Sequence, residues 1–453
     1  MSDMKNWSNL PLVELIGKSG ISCDCGKLHK ADVREVVIEH NALVCIPDIL
    51  EKYEGHRPFI IADRNTYSAA GERICSLLNE KGIEYSNFIF PQENVEPDEF
   101  SVGQVVMNFD SNCDFVIGVG TGTINDISKM VAKVAGLKYM IVGTAPSMDG
   151  FASSTSSMIL NKVKISLPSA CPVAIVADID ILCNAPKKLL QAGFGDLLAK
   201  YISICEWRIS NLITGEYYCE EVANLVRRSL KKSIESVDGL LKREPDAIVN
   251  IMEGLILAGI AMSYAGLSRP ASGIEHYFSH IWDMRALNGT NKAELHGIQV
   301  GVGTVLSLQL YDIIKQIVPD REKAISYVEG FEIKKWEEFL LNFLGDNGNV
   351  LIELEKKEGK YDKKKHRIRL DIIIDRWQEI LEIISHELPE TSEIVKLLKL
   401  IDAPVKPEDI GLSPWEVRDT FIATKDIRDK YIASRLLWDL GMIEEVAEKL
   451  ITD

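Results

Sequence analysis

Asp114-Phe-Val-Ile-Gly118-Val-Gly120-Thr-Gly122-Thr-Ile-Asn-Asp126-Ile-Ser-Lys129 carries a short apolar run into glycines and then into a helical pattern. The run predicts a buried strand, and residues from about 123 to 135 predict the helix that follows it. Glycines let a backbone approach a ligand closely, and the N–H groups that open a helix are a favourable seat for phosphate oxygens. The spacing departs from Gly-x-Gly-x-x-Gly, and the loop follows a later strand instead of the first, so ligand loop and tight turn both stay open. Asp126 and Lys129, just beyond, have a mutual ion pair or solvent as their simplest environment.

The same alternation extends outward. Pro58-Phe-Ile-Ile-Ala62 predicts a strand, Thr66 to Lys81 a helix with Ala69, Ile74, Leu77 and Leu78 inward, and Tyr85 to Phe90 another strand. Tyr139 to Gly143 and Pro172 to Ala177 complete the series. Such a pattern predicts a doubly wound, mostly parallel α/β nucleotide-binding domain over residues 1–180. A second polar loop, Thr144-Ala-Pro-Ser147-Met-Asp149-Gly-Phe-Ala-Ser153, follows a strand at the end where open sheets bind ligands. Asp63, after its own strand, suits either an adenosine ribose or a helix N-cap.

Beyond Asp180 strand patterns stop, which predicts an all-α domain over 181–453. Val222, Leu225, Val226, Leu230, Ile234, Val237 and Leu241 recur as on one helix face. Ala247 to Ala265 is apolar nearly all round, with Gly254 and Gly259 allowing close helix contact. Asn291-Lys-Ala-Glu294 has a capping-box pattern and predicts the start of a helix that carries His296. Gly297, Gly301 and Gly303 weaken that helix, so something is expected to approach its backbone. The charge-dense segment 353–370 predicts a surface loop or solvated helix.

Length, 453 residues, exceeds what one core usually organises. The net charge of −16 argues against nucleic acid, which needs a basic face, yet leaves room for a small anionic substrate. No basic-then-apolar leader opens the chain and no run of about 18 apolar residues is apparent, so a cytoplasmic protein without membrane insertion is expected. Nine dispersed cysteines fit a reducing compartment. Cys23, Cys25 and His29 sit in Cys-Asp-Cys-Gly-Lys-Leu-His, but no second pair of ligands lies near them, so a reduced hairpin is expected in place of a zinc knuckle.

Three histidines, His276, His280 and His296, fall close together. In a helix, the four-residue step from His276 to His280 puts both imidazoles on one face. Asp196 follows two glycines in Gly193-Phe-Gly-Asp196, predicting a place in the first turn of a helix. Two imidazoles and a carboxylate hold a borderline divalent ion and leave a position for substrate.

Taken together, Gly118 to Lys129, Thr144 to Ser154, Gly193 to Arg208, Ser268 to His280 and His296 to Gly303 resemble the family that joins glycerol dehydrogenases, iron-containing alcohol dehydrogenases and dehydroquinate synthases. Within it the resemblance is closest to the sn-glycerol-1-phosphate dehydrogenases. It implies a dehydroquinate synthase-like fold and metal-dependent, reversible hydride transfer between NAD(P)H and dihydroxyacetone phosphate to give sn-glycerol 1-phosphate, with a glycerol or other polyol dehydrogenase, or a dehydroquinate synthase-like lyase, as the alternatives. It implies Asp196, His276 and His296 as metal ligands, for zinc or nickel. It also implies Gly120, Gly122, Thr123, Ile124, Asn125 and Asp126 at the pyrophosphate, Thr144, Ala145, Pro146, Ser147 and Ser153 as further cofactor contacts, and Asp149 and His280 on the substrate side. Arg269 is the candidate for the substrate phosphate, with a surface salt bridge as its alternative. Lys200 stands where iron-containing alcohol dehydrogenases usually place another histidine, which favours a three-ligand zinc- or nickel-type site over that branch; Asp196 stands where dehydroquinate synthases usually have glutamate, which favours a dehydrogenase. A homodimer and a phosphorylated three-carbon substrate complete what the resemblance implies.

Overall fold

The structure, a computed structural model, describes residues 6–16 and 20–452. Ten strands occur among the described residues: β1 (Ile21–Ser22), β2 (Leu28–His29), β3 (Glu35–Glu39), β4 (Pro58–Asp63), β5 (Ser86–Phe90), β6 (Phe115–Gly120), β7 (Lys138–Gly143), β8 (Thr155–Leu160), β9 (Val163–Pro168) and β10 (Ala174–Asp178). Six of them form one sheet in the order β3-β10-β7-β6-β4-β5, with every pairing parallel. Unbroken apolar runs such as Phe115–Val119 are what a sheet covered on both faces demands. Alternate residues Ile60, Ala62, Ile117, Val119, Met140, Val142, Ala174 and Val176 supply one face of its core. From β4 the chain continues to β5 on one side, whereas from β6 it continues to β7 on the other. The carboxyl ends of β4 and β6 therefore flank the point where strand order reverses, the usual crevice for a nucleotide.

The chain divides into two compact units, one of Met1–Leu197 with Cys219–Pro270, the other of Leu198–Tyr218 with Ala271–Asp453. The change from strands to helices near 180 thus does not coincide with the division. Helices Glu220–Glu235 and Pro245–Ala265 pack on one another, and the second also packs on the Gly150–Ala152 turn, so both belong with the sheet. Gly254 and Gly259 permit this: a Cβ on Gly259 would meet the Asp149 carbonyl oxygen at 2.9 Å. The other unit is helical throughout its described residues.

Several local expectations are corrected. The helix after β4 contains a π-turn at Tyr67–Gly71, which inserts a residue and shifts the inward face, so Ala70 is buried where Ala69 was expected. Pro245–Ala265 and His296–Ile314 are long and apolar enough to cross a membrane, with mean hydropathies of 1.6 and 1.3, although no such run was apparent in the sequence. Both are mostly buried in the protein. Asn291 caps no helix, because residues 291–295 form a loop and the helix begins at His296. Segment 353–370 is not merely solvated: Glu355 and His366 are buried, and Arg369 grips Asp439 through two bonds of 2.7 Å.

One close approach positions the site. A Cβ on Gly193, in helix Lys187–Leu198, would lie 1.8 Å from the Pro146 carbonyl oxygen. Gly193→Ala should therefore destabilise the protein by about 1–3 kcal/mol through overpacking. Gly103→Ala, where a Cβ meets nothing within 4 Å, should instead gain up to about 1 kcal/mol of helix propensity. Urea unfolding compares them; a Gly193→Ala protein as stable as the parent would contradict the packing.

Candidate active site

In the sheet unit, the helix after β6 runs Gly122–Ala135, and its N-cap residue Thr121 makes no side-chain cap. The N–H groups of Gly122, Thr123 and Ile124 thus open the helix without an internal acceptor from that residue. The glycines divide in purpose. A Cβ on Gly118 would come within 2.7 Å of Ser128 Oγ, and one on Gly120 within 2.7 Å of Ile124 Cβ, so these two let strand and helix pack closely. Gly122 would meet only the Met148 side chain, at 3.5 Å, and is the position that leaves backbone open to a ligand.

Asn125 is fully buried and already engaged, donating to the Gly150 carbonyl at 3.1 Å and accepting from Tyr139 at 2.6 Å. Asp126 pairs with Lys129 at 3.9 Å and accepts from the Ser157 N–H at 3.1 Å. Burial pushes its carboxyl up to about 6, against the pull of the Lys129 ammonium. Lys129, itself lowered by burial, donates to the Gly150 carbonyl, Ser153 Oγ and the Thr155 carbonyl at 2.6, 3.0 and 3.2 Å. Ser153 is accordingly part of the clasp that shapes this loop. Asp63 caps its helix in a capping box, with Oδ1 accepting from Thr66 N at 2.8 Å.

The loop after β7 begins with Thr144, whose N–H donates to the Gly120 carbonyl at 3.2 Å, and continues through Ala145, Pro146 and Ser147, all nearly buried. It crosses helix Lys187–Leu198 at Gly193, and its Asp149 N–H donates to Asp196 Oδ2 at 2.9 Å. Asp196 lies in the last turn of that helix, not the first, and is fully buried. The two glycines before it, read as a helix start, instead lie inside the helix, where Gly193 admits the Pro146 carbonyl. Arg269 is 2 % exposed, which removes the surface salt bridge as its role.

In the helical unit, helix Ile274–Leu287 carries His276 and His280, and helix His296–Ile314 carries His296 at its first position. The two helices pack together, and Gly303 makes this possible, since a Cβ there would sit 2.6 Å from the Glu275 carbonyl oxygen. Ring centroids are 5.1 Å apart for His276 and His296, 6.5 Å for His276 and His280, and 5.9 Å for His280 and His296. His276 Nδ1 lies 2.7 Å from a carboxylate oxygen of fully buried Glu275, so that nitrogen donates and Nε2 keeps its lone pair. His296 Nδ1 lies 2.9 Å from Ser279 Oγ, whose single proton goes to Gln299 Oε1 at 2.7 Å. The serine must therefore accept, which protonates Nδ1 of His296 and leaves its Nε2 a lone pair as well. Two imidazoles whose outer nitrogens are each tied down in this way are what a divalent ion requires.

Glu275, Ser279 and Gln299 escaped sequence reasoning, as did Glu206. Buried Glu206 accepts from Ile274 N at 2.9 Å, from Ala433 N at 2.8 Å and from Tyr311 at 3.2 Å, fixing the start of the histidine helix. Lys200 is buried and donates to the Ala271 carbonyl at 3.1 Å, and Lys430 holds Ser272 at 2.6 and 2.8 Å, so both steady the approach to His276. An acidic neighbour of histidine was the available signal for Glu275. Glu206 and Lys430 had none.

A family model described as iron-containing alcohol dehydrogenase matches residues 37–186. A glycerol-1-phosphate dehydrogenase [NAD(P)+] of Bacillus licheniformis is 34% identical over 436 residues, 95% of this chain and 96% of that one. Another from Halalkalibacterium halodurans is 31% identical over 395 residues, 86% of this chain and 89% of that one. The crystal structure of glycerol dehydrogenase from Schizosaccharomyces pombe, at 15% identity, aligns with a TM-score of 0.61 over 96% of this chain and 93% of that one, a likeness of fold. With the sequence match running over nearly the whole chain, both histidine helices included, the chain belongs to the glycerol-1-phosphate dehydrogenase family.

Proposed function

We propose that the protein transfers hydride reversibly between NAD(P)H and dihydroxyacetone phosphate, giving sn-glycerol 1-phosphate. The near full-length match to relatives of that name carries the proposal. The paired tautomers of His276 and His296 support it chemically. Asp196 joins these two imidazoles as the acidic ligand, its Oδ2 steadied by the Asp149 N–H. Nitrogen and oxygen donors of this kind suit zinc or nickel. When bound, the divalent ion supplies Lewis acidity at the reacting oxygen and the nicotinamide supplies or takes up hydride.

The chain's own groups do the rest. His280, one turn beyond His276, holds the substrate and carries the proton of its oxygen. Arg269 grips the substrate phosphate, for which a planar guanidinium offers two donors. The opening N–H groups at Gly122 to Ile124 receive the pyrophosphate. Thr144, Ala145, Pro146 and Ser147 line the cofactor's path beyond it, and Asp63 keeps one oxygen in its cap while offering the other to the ribose. Asn125, Asp126 and Ser153 serve the cofactor indirectly by shaping its walls. A cytoplasmic homodimer completes the reading: nine cysteines without a disulfide fit a reducing compartment, and light scattering measures the assembly.

Loss of nicotinamide absorbance on adding dihydroxyacetone phosphate tests the reaction. Oxidation with glycerol's unphosphorylated ketone but not with the phosphate would overturn the substrate. His276→Ala and Asp196→Ala should abolish metal-dependent turnover; full activity of either in metal-free buffer would remove the metal centre. Glu275→Gln should weaken metal affinity by roughly 10–100-fold, with kcat recovering at saturating metal; unchanged affinity would dismiss its orienting role. Arg269→Ala should raise KM for the phosphorylated ketone, and an unchanged KM would exclude it from the phosphate.

A further inference from the structure

We propose that Cys23, Cys25, His29 and Cys219 form a second metal site, a closed three-thiolate, one-imidazole centre for zinc that fastens the N-terminal hairpin to the sheet unit's helices. The ligand atoms of all four lie within 4.8 Å of one another. Cys23 Sγ is 3.7 Å from Cys219 Sγ, while His29 Nε2 is 3.3 Å from Cys25 Sγ and 3.5 Å from Cys219 Sγ. Bonds of about 2.3 Å to sulfur and about 2.0–2.1 Å to nitrogen, set tetrahedrally, give edges of about 3.8 Å between sulfurs and about 3.5 Å between sulfur and nitrogen. The observed separations match those edges.

The sequence offered only three of the four donors, on a hairpin. β1 and β2 pair antiparallel, and the turn between them passes through Gly26 at φ +86°, a conformation that favours glycine. Cys219 comes from 190 residues beyond His29, at the N-cap position of helix Glu220–Glu235, where the chain re-enters the sheet unit. No sequence spacing could have announced it.

The imidazole is turned the way a ligand must be. His29 is fully buried, and its Nδ1 lies 2.9 Å from the Tyr264 carbonyl oxygen at the end of helix Pro245–Ala265. A carbonyl only accepts, so Nδ1 carries the proton and Nε2 presents its lone pair to the sulfurs. The rings of Trp7 and Tyr264 flank it at 5.2 and 5.5 Å. A disulfide does not explain the cluster, because 3.7 Å far exceeds an S–S bond of about 2.05 Å and a third thiol and an imidazole would be left over. Nor does apolar packing of thiols, which has no use for a directed nitrogen lone pair. Four protein donors leave no open position, so the site is structural and stands apart from the chemistry at His276 and His296. Cys23 and Cys25 are only half-buried and give the ion a way in. Binding releases the thiol protons to solvent, so affinity falls as pH falls.

The experiment uses the full-length protein loaded with cobalt, alongside its zinc content as isolated. The catalytic centre offers only nitrogen and oxygen, so a thiolate-to-cobalt charge-transfer band can come only from the cysteine cluster. Wild type and His276→Ala should both show that band, and His276→Ala, with its catalytic centre disabled, should still retain one tightly held zinc per chain. Cys25→Ser should lose the band and that equivalent, and should melt at a lower temperature. Absence of the band in wild type and His276→Ala would overturn the site even if Cys25→Ser failed to fold. So would its persistence in Cys25→Ser, or an intact-mass measurement showing Cys23 and Cys219 joined as a disulfide in freshly isolated protein.

Discussion

Backbone meets backbone where the loop after β7 crosses helix Lys187–Leu198, with a would-be Cβ of Gly193 only 1.8 Å from the Pro146 carbonyl. Only glycine admits that crossing. From it follows the depth of the loop, and from that depth the bond of the Asp149 N–H to Asp196 Oδ2. The same loop is clasped from its other side by Lys129, which spends its donors on Gly150, Ser153 and Thr155. The helix that carries Lys129 and the acidic Asp196 are thereby tied to one segment, so a change of packing at Gly193 reaches both.

The helical unit solves an equivalent problem with buried carboxylates. Glu206 holds the N–H of Ile274 and so sets where the histidine helix begins, while Glu275 in the first turn sets which nitrogen of His276 faces inward. A buried carboxylate is expensive unless its oxygens find donors: both oxygens of Glu206 receive backbone N–H groups, one of them also a tyrosine, whereas Glu275 gathers the Gly273 N–H and the His276 imidazole on Oε1 alone. Ser279 performs the same service for His296 without charge. One histidine is thus supported by an anion and the other by a neutral hydroxyl.

Much of this was legible from residues alone. The central strands are unbroken apolar runs between turn residues, a pattern that admits little else in a sheet covered on both faces, and β4, β5, β6, β7 and β10 lie within two residues of their expected bounds. What failed did so for local reasons. A π-turn is invisible to a 3.6-residue period, so the inward face was placed on Ala69 instead of Ala70. Paired glycines suggested the start of a helix at Asp196 because interior glycines are disfavoured, yet here a crossing backbone requires one. The edge strand β3, with partly exposed residues, lacks the signal of its neighbours. The histidine spacing pointed to His276 and His280, but the supporting Glu206 comes from a different helix and Cys219 from a distant segment, contacts that only tertiary structure creates.

The sheet unit is built from two stretches of chain, with residues 198–218 belonging elsewhere. A ribosome releases the strands first, but helices Glu220–Glu235 and Pro245–Ala265, and with them Cys219 and the Tyr264 carbonyl, emerge only after that excursion. The unit therefore cannot be completed until residues 198–218 have also been made. A nascent chain with all six sheet strands released still lacks part of their helical cover. The route from ribosome to native state is accordingly a matter of waiting as much as of folding.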